Sequence, residues 1–272
     1  MPGMCFVRRK PNFVPAKNGV RITAMDFTFL GYEKLLKLLR DMGYCFAEYH
    51  NYSQYPRAVI LRHDIDFSLE AALNMARLEA EHGVVSTYFV LLTSDLYNAA
   101  SPKSLRMLRE IQRLGHTIGV HFDETAYAST DKESMVQNIL KECRLLSALL
   151  ETSWSPGVQL VSRVSMHRPS AQIFHANLQI PGVINAYEVR FIQDFKYLSD
   201  SRRRWREPAF DIIRSGTYDR LHILTHAFWY NAKEENISDS IKKFVSAANR
   251  ERYQHVAENI SDIASILRED EI

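Results

Sequence analysis

Two carboxylates close an apolar run. Residues 59–66 read VILRHDID, so that Asp64 and Asp66 stand two apart at its end. On a β-strand, side chains two apart share a face. Both carboxylates should therefore emerge together at the carboxyl end of a buried strand, where parallel α/β enzymes place their chemistry. Helix capping explains Ser68, and the helix dipole explains Glu70. Neither explains two like charges held ahead of the cap, since a cap needs one short polar residue.

Other polar motifs also follow apolar strands. His121 ends the stretch His116 to His121 (HTIGVH) and is followed by Phe122, Asp123, Glu124 and Thr125. His167-Arg168-Pro169 ends another, with proline holding the arginine before it extended. Leu224-Thr225-His226 ends the last. In a parallel barrel such ends converge at one mouth, although a single histidine is more often a structural hydrogen-bonding residue than a ligand.

The elements that must position these groups alternate. Leu30 to Met42 has leucines at helical spacing and stops at Gly43, before a short apolar segment, Tyr44 to Ala47. A strand over 58–64 precedes a helix that starts at Ser68 and ends at Gly83. Ser86 to Leu92 is rich in β-formers, and Ser101-Pro102 opens a helix ending at Gly115. Thr130 and Glu133 form a capping box for a helix running to about Leu150. Val161 to His167, Val183 to Val189 and Leu221 to His226 read as further strands. This alternation implies a parallel sheet, closed as a barrel or doubly wound. One domain over 1–272 is expected, with an irregular basic leader at 1–20 and charged helices at 238–272.

Composition sets limits. Over 272 residues, 46% are hydrophobic, ample for a core, and 34 Lys plus Arg against 32 Asp plus Glu give a net charge of +2. That balance gives no footprint for non-specific nucleic-acid binding. No apolar run reaches the roughly 18 to 20 residues that span a bilayer. Cys5, Cys45 and Cys143 are odd in number and widely spaced, which argues against a disulfide framework and for a reducing, cytoplasmic compartment.

In their order, these motifs resemble the polysaccharide deacetylases, the NodB-homology carbohydrate esterases. Residues 62–66 (RHDID) match the family's paired acids in a spaced form, and residues 115–121 (GHTIGVH) match the opening of its second motif. His167-Arg168-Pro169 and Leu224-Thr225-His226 match two later elements. Tyr197 to Ser201 (YLSDS), with Trp205, is similar to the branch associated with O-antigen and other surface-glycan products. The resemblance covers roughly residues 57 to 230. It implies an α/β fold, a distorted or incomplete seven-stranded (β/α) barrel.

The resemblance also implies roles. Asp66 and His121 would hold a divalent metal, with zinc expected. Asp64 would be the general base, with Arg168 holding and orienting it, and His226 would protonate the leaving amine. Where the family carries a further metal-binding histidine, this chain has Thr125, a poor zinc ligand. His167 is the leading substitute, ahead of Asp123 and Glu124. Arg202, Arg203, Arg204 and Arg206 around Trp205 could clamp an anionic group such as a diphosphate. Trp229, in the Phe228-Trp229-Tyr230 triplet, could line a sugar-binding cleft or close the core. The expected reaction is removal of an N-acetyl or O-acetyl group from a sugar of a surface glycan or its nucleotide- or lipid-linked precursor. The alternative, kept open by Thr125, is a catalytically silent protein of the same fold that binds a glycan or a partner.

Overall fold

A computed structural model describes residues 26–128, 131–151 and 161–272. Among the described residues there are eight strands: β1 (Cys45–Ala47), β2 (Ala58–Ile65), β3 (Thr87–Val90), β4 (Thr117–Asp123), β5 (Arg163–His167), β6 (Ile184–Asn185), β7 (Lys196–Ser199) and β8 (Arg220–Thr225). The longer helices among them are α1 (Phe29–Asp41), α2 (Leu69–Glu81), α3 (Pro102–Arg113) and α4 (Lys132–Leu150). Short helices α5 (Ala171–His175), α6 (Val189–Ile192) and α7 (Ala209–Ser215) follow, then α8 (Ile237–Ala257) and α9 (Ile263–Ile266).

Every ladder is parallel, and the order is β6-β5-β4-β3-β2-β8-β7, with β1 beside the first half of β2. Seven strands thus form an incomplete (β/α) barrel whose open seam lies between β6 and β7. Parallel pairing puts every carboxyl end at the same mouth. At the centre is β2, buried at each of its residues, which is why its sequence is a continuous apolar run rather than an alternating one.

The caps follow side-chain chemistry. Ser68 accepts from the Ala71 amide, and Ser101 accepts from the Ser104 amide with Pro102 in the first turn. The expected cap Thr130 lies outside the described residues, and Asp131 accepts from the Ser134 amide at the start of α4. Gly119 is required by close approach: a Cβ there would stand 2.6 Å from the Phe89 ring and 3.0 Å from the Arg163 carbonyl oxygen. Across β2, β3 and β4 the register pairs Asp64 with Phe89 and Phe89 with Gly119. The glycine therefore makes room for the aromatic ring beside the site.

Some expectations are corrected. The strand expected over 183–189 is only Ile184–Asn185, because the Asn185 and Glu188 side chains accept from the Tyr187 and Asn185 amides and turn the chain into α6. Among the described residues, Cys143 is a free, buried cysteine. No helix among the described residues is long and apolar enough to cross a membrane.

Behind β2, on the face opposite Asp64, a buried carboxylate organises the packing of α2. Glu79 is fully buried and accepts from Tyr32 Oη (2.6 Å), Ser86 Oγ (2.5 Å) and Tyr88 Oη (2.7 Å), and lies 2.9 Å from His63 Nε2. The second nitrogen of His63 contacts Thr225 Oγ1 at 2.7 Å, linking β2 to β8. Burial alone would raise the Glu79 pKa, but His63 and the surrounding donors outweigh it and hold it at about 2. A carboxylate depressed in the folded state contributes stability above its unfolded pKa, and that contribution is lost as pH falls from about 4.5 towards 2. Glu79→Ala leaves several buried donors unpaired and should cost about 3–5 kcal/mol. Urea denaturation at pH 7 reads the loss, and the gap between variant and parent should narrow as the pH is lowered through that window.

Candidate metal centre

Three strands each deliver one donor to a common point. Asp66 follows β2, His121 lies near the end of β4 and His167 ends β5. The register sets His121 level with Ser165 and Asp123 level with His167, so His121 and His167 share the inward face one step apart. His121 Nε2 lies 3.2 Å from Asp66 Oδ1, His167 Nδ1 lies 3.3 Å from the same oxygen, and the two nitrogens are 3.0 Å apart. All three residues meet the spacing for a shared ion.

The donors fit a small divalent cation. Two ligand atoms at tetrahedral corners around an ion with bonds near 2.0–2.1 Å are separated by about 3.3 Å, close to the edges found here. Asp66 Oδ1 is buried with no hydrogen-bond partner, the kind of orphan a cation satisfies. Burial pushes the Asp66 pKa up, but the adjacent His121 and His167 imidazoles dominate and hold the carboxyl well below the usual range. Nitrogen and carboxylate donors without thiolate suit zinc and its first-row neighbours.

Asp64 sits beside this triangle. Its Oδ2 is 3.9 Å from His121 Nε2, accepts from Arg62 Nη2 at 3.0 Å, and is approached by Ser165 Oγ at 3.4 Å. The cation on Asp64 is therefore Arg62, two residues earlier on the same strand and fully buried. Arg168, expected in that role, is exposed and has φ 48, so it is not held extended by Pro169. It follows the inward-facing His167 where the chain leaves β5, and there its side chain is turned to solvent.

On the far side stands His226. One step past the His63–Thr225 pair of the β2–β8 ladder, it is level with Asp64. Its Nε2 lies 3.7 Å from Asp66 Oδ2, while Nδ1 is 2.6 Å from Asp200 Oδ1. Asp200 is fully buried, also accepts from the His226 amide at 3.1 Å, and takes a hydrogen bond from Tyr230 Oη. Burial lowers the His226 pKa, but Asp200 outweighs it and raises the imidazole to about 9. Asp200 had no assigned role in the sequence. The YLSDS motif contains it, but nothing local marks it as the partner of a histidine 26 positions later.

The other candidates fall elsewhere. Thr125 is exposed and donates to Asp123 Oδ1, while Asp123 caps the short turn over 124–126. Glu124 accepts from the Ser170 amide and hydroxyl, pinning the loop that follows β5. His116 leaves the mouth altogether: its Nδ1 accepts from the Ser86 amide and its Nε2 is 2.9 Å from the Ala76 carbonyl. Trp229 is buried among Phe67 and Phe228, with ring centroids at 5.5 and 4.9 Å, and offers no face to a sugar. Trp205 is half-buried against the same apolar cluster, and Arg204 is exposed.

Comparison with known proteins finds no matching family model and no matching curated protein. Among solved structures, similarity is found to a CE4 family pseudoenzyme from Bacillus anthracis, at 16% identity over 71% of this chain and 63% of that one, with TM-score 0.39. A CE4 domain of a multidomain xylanase from the hindgut metagenome of Trinervitermes trinervoides matches at 16% identity over 70% and 80%, TM-score 0.39. A Bdellovibrio bacteriovorus peptidoglycan deacetylase matches at 13% over 71% and 50%, TM-score 0.40. The chain thus spans less than two thirds of the pseudoenzyme and half of the peptidoglycan deacetylase. Likeness at this level is too low to carry chemistry from those proteins to this one, which leaves the side chains themselves.

The donor triangle makes a sharp distinction between two residues. His167→Ala should weaken zinc or cobalt binding by more than about a hundredfold, since loss of even a supporting outer residue costs about 10–100-fold. Thr125→Ala should leave it within about twofold. Equilibrium dialysis with metal analysis measures both, and equal losses would remove His167 from the ligand set.

Proposed function

We propose that this protein is a metal-dependent hydrolase that removes an acetyl group, N-linked or O-linked, from a sugar of a glycan. The observation that carries the reading is the flanking of one donor triangle by an arginine-held carboxylate on one side and an aspartate-held imidazole on the other. Amide or ester hydrolysis needs a base for water, an acid for the leaving atom and a centre to hold the oxyanion. A bound divalent ion, zinc in this reading, supplies a Lewis acid that acidifies water and polarises the acyl carbonyl.

The chain's own groups divide the proton work. Asp64, fixed by Arg62 and Ser165, takes the proton of the attacking water. His226 donates from Nε2 to the departing nitrogen or oxygen, and Asp200 keeps the imidazole protonated and correctly turned. Asp66 serves only as a ligand, which its depressed pKa suits. Burial of Asp64, His121 and His167 keeps bulk water from competing for these contacts.

The catalytically silent reading stood on Thr125. With His167 completing the donor set, the absence of a histidine at 125 no longer argues for silence. The two readings part in a direct assay. Protein purified without chelator and loaded with zinc or cobalt should release acetate from a panel of acetylated sugars and show a raised melting temperature. Asp64→Asn should lower kcat by about 10²–10⁴-fold with metal content retained, whereas Asp66→Asn should lose the metal. Metal retention without acetate release from any substrate would favour the silent protein.

A further inference from the structure

The run Ser201–Arg206 carries four arginines beside the site, and the hydrolytic chemistry uses none of them. It begins one residue after Asp200, the partner of His226, on the loop after β7. That places it at the carboxyl end of β7, an edge strand of the sheet. Arg202 and Arg203 both have left-handed backbones, φ 61 and φ 56, a conformation that non-glycine residues adopt only when the surroundings enforce it.

What enforces it is visible. The Arg204 amide donates to the Asp200 carbonyl at 3.1 Å, the Arg203 guanidinium donates to the Glu235 carbonyl, and Arg203 lies 5.3 Å over the Phe27 ring. One arginine anchors the loop. The other three, Arg202, Arg204 and Arg206, are exposed, and among the described residues no ion pair engages them.

Their charge could have been neutralised locally and is not. Glu207, next in sequence, is committed to Lys196 at 2.6 and 2.8 Å, and Asp200 to His226 and Tyr230. A loop pinned by Arg203 that carries three exposed, unpaired guanidiniums beside a mouth can receive an anion, because each guanidinium fork matches two oxygens of a phosphate or carboxylate.

From this arrangement we infer that the substrate is anionic: the sugar that carries the acyl group is joined to a phosphate, diphosphate or uronate, which docks on Arg202, Arg204 and Arg206. This rests on the reading above that an acylated sugar occupies the mouth. It deepens that reading by naming the substrate class. Half-buried Trp205, within the same run, fixes the loop against the core and leaves the arginines to make the contacts.

Binding, measured apart from turnover, tests it. Titration calorimetry on metal-loaded protein compares N-acetylglucosamine 1-phosphate, UDP-N-acetylglucosamine, an N-acetylglucosamine–glucuronate disaccharide and neutral chitobiose. Exposed charge contacts are individually small, so three together should favour an anionic ligand by about tenfold at low salt, with the advantage shrinking as salt is raised. In the triple variant Arg202→Gln, Arg204→Gln, Arg206→Gln the ratio of anionic to neutral Kd should approach one. Which anionic probes show the advantage identifies phosphate or uronate as the docked group. Equal affinity for neutral and anionic sugars in the parent, or an unchanged ratio in the variant, would falsify the inference. If the ratio collapses as expected but acetate is never released, the hydrolase reading fails and this one stands.

Discussion

Everything at the mouth depends on three donor atoms that converge on one point. An oxygen of Asp66 and one nitrogen each from His121 and His167 are held about 3 Å apart, facing inward from β2, β4 and β5. Such atoms bring lone pairs together, and burial removes the water that would separate them. A cation relieves the crowding at once. Parallel register fixes this geometry, since any slip by one residue would turn His121 and His167 to the helix-covered face.

Around that constraint the remaining groups fall into two opposed pairs. Arg62 with Asp64 forms an ion pair sealed inside the barrel, and Asp200 with His226 forms a second one level with it across the β2–β8 ladder. In the proposed reaction, one pair would fix an acceptor of protons and the other a donor. Environment, rather than residue type, separates the roles: a guanidinium faces the first carboxylate, while the second carboxylate faces an imidazole and lifts its pKa to about 9. Under that proposal, bond-making and bond-breaking demands would be met from opposite sides of the ion site.

Much of this was legible in the residues. The spacing of Asp64 and Asp66, the capping serines and the strand-terminal histidines are local patterns, and local patterns survive folding. His167 could be ranked first as the missing donor because imidazole is the closest chemical substitute for imidazole. The assignment of Arg168 failed because proline's preference on the preceding residue was overridden by the turn from β5 into α5, while Arg62 was hidden inside a run that reads as plain strand. Asp200 and β7 escaped notice for a different reason. A four-residue strand carries almost no periodicity, and the Asp200–His226 contact is a property of neighbouring strands, not of sequence distance. Trp229 could be read equally as a platform for a sugar or as core, and only its burial between Phe67 and Phe228 decides it.

The polar knot behind β2 bears on the alignment of the site as well as on folding. His63 sits between Glu79 and Thr225, and its chain neighbour is Asp64, as the neighbour of Thr225 is His226. The outward residues thereby lock the lateral alignment of the inward ones, so that proton acceptor and proton donor are kept in step by hydrogen bonds neither of them makes. The alignment of the site is accordingly set in part from the dry side of the sheet, among buried tyrosines and a carboxylate.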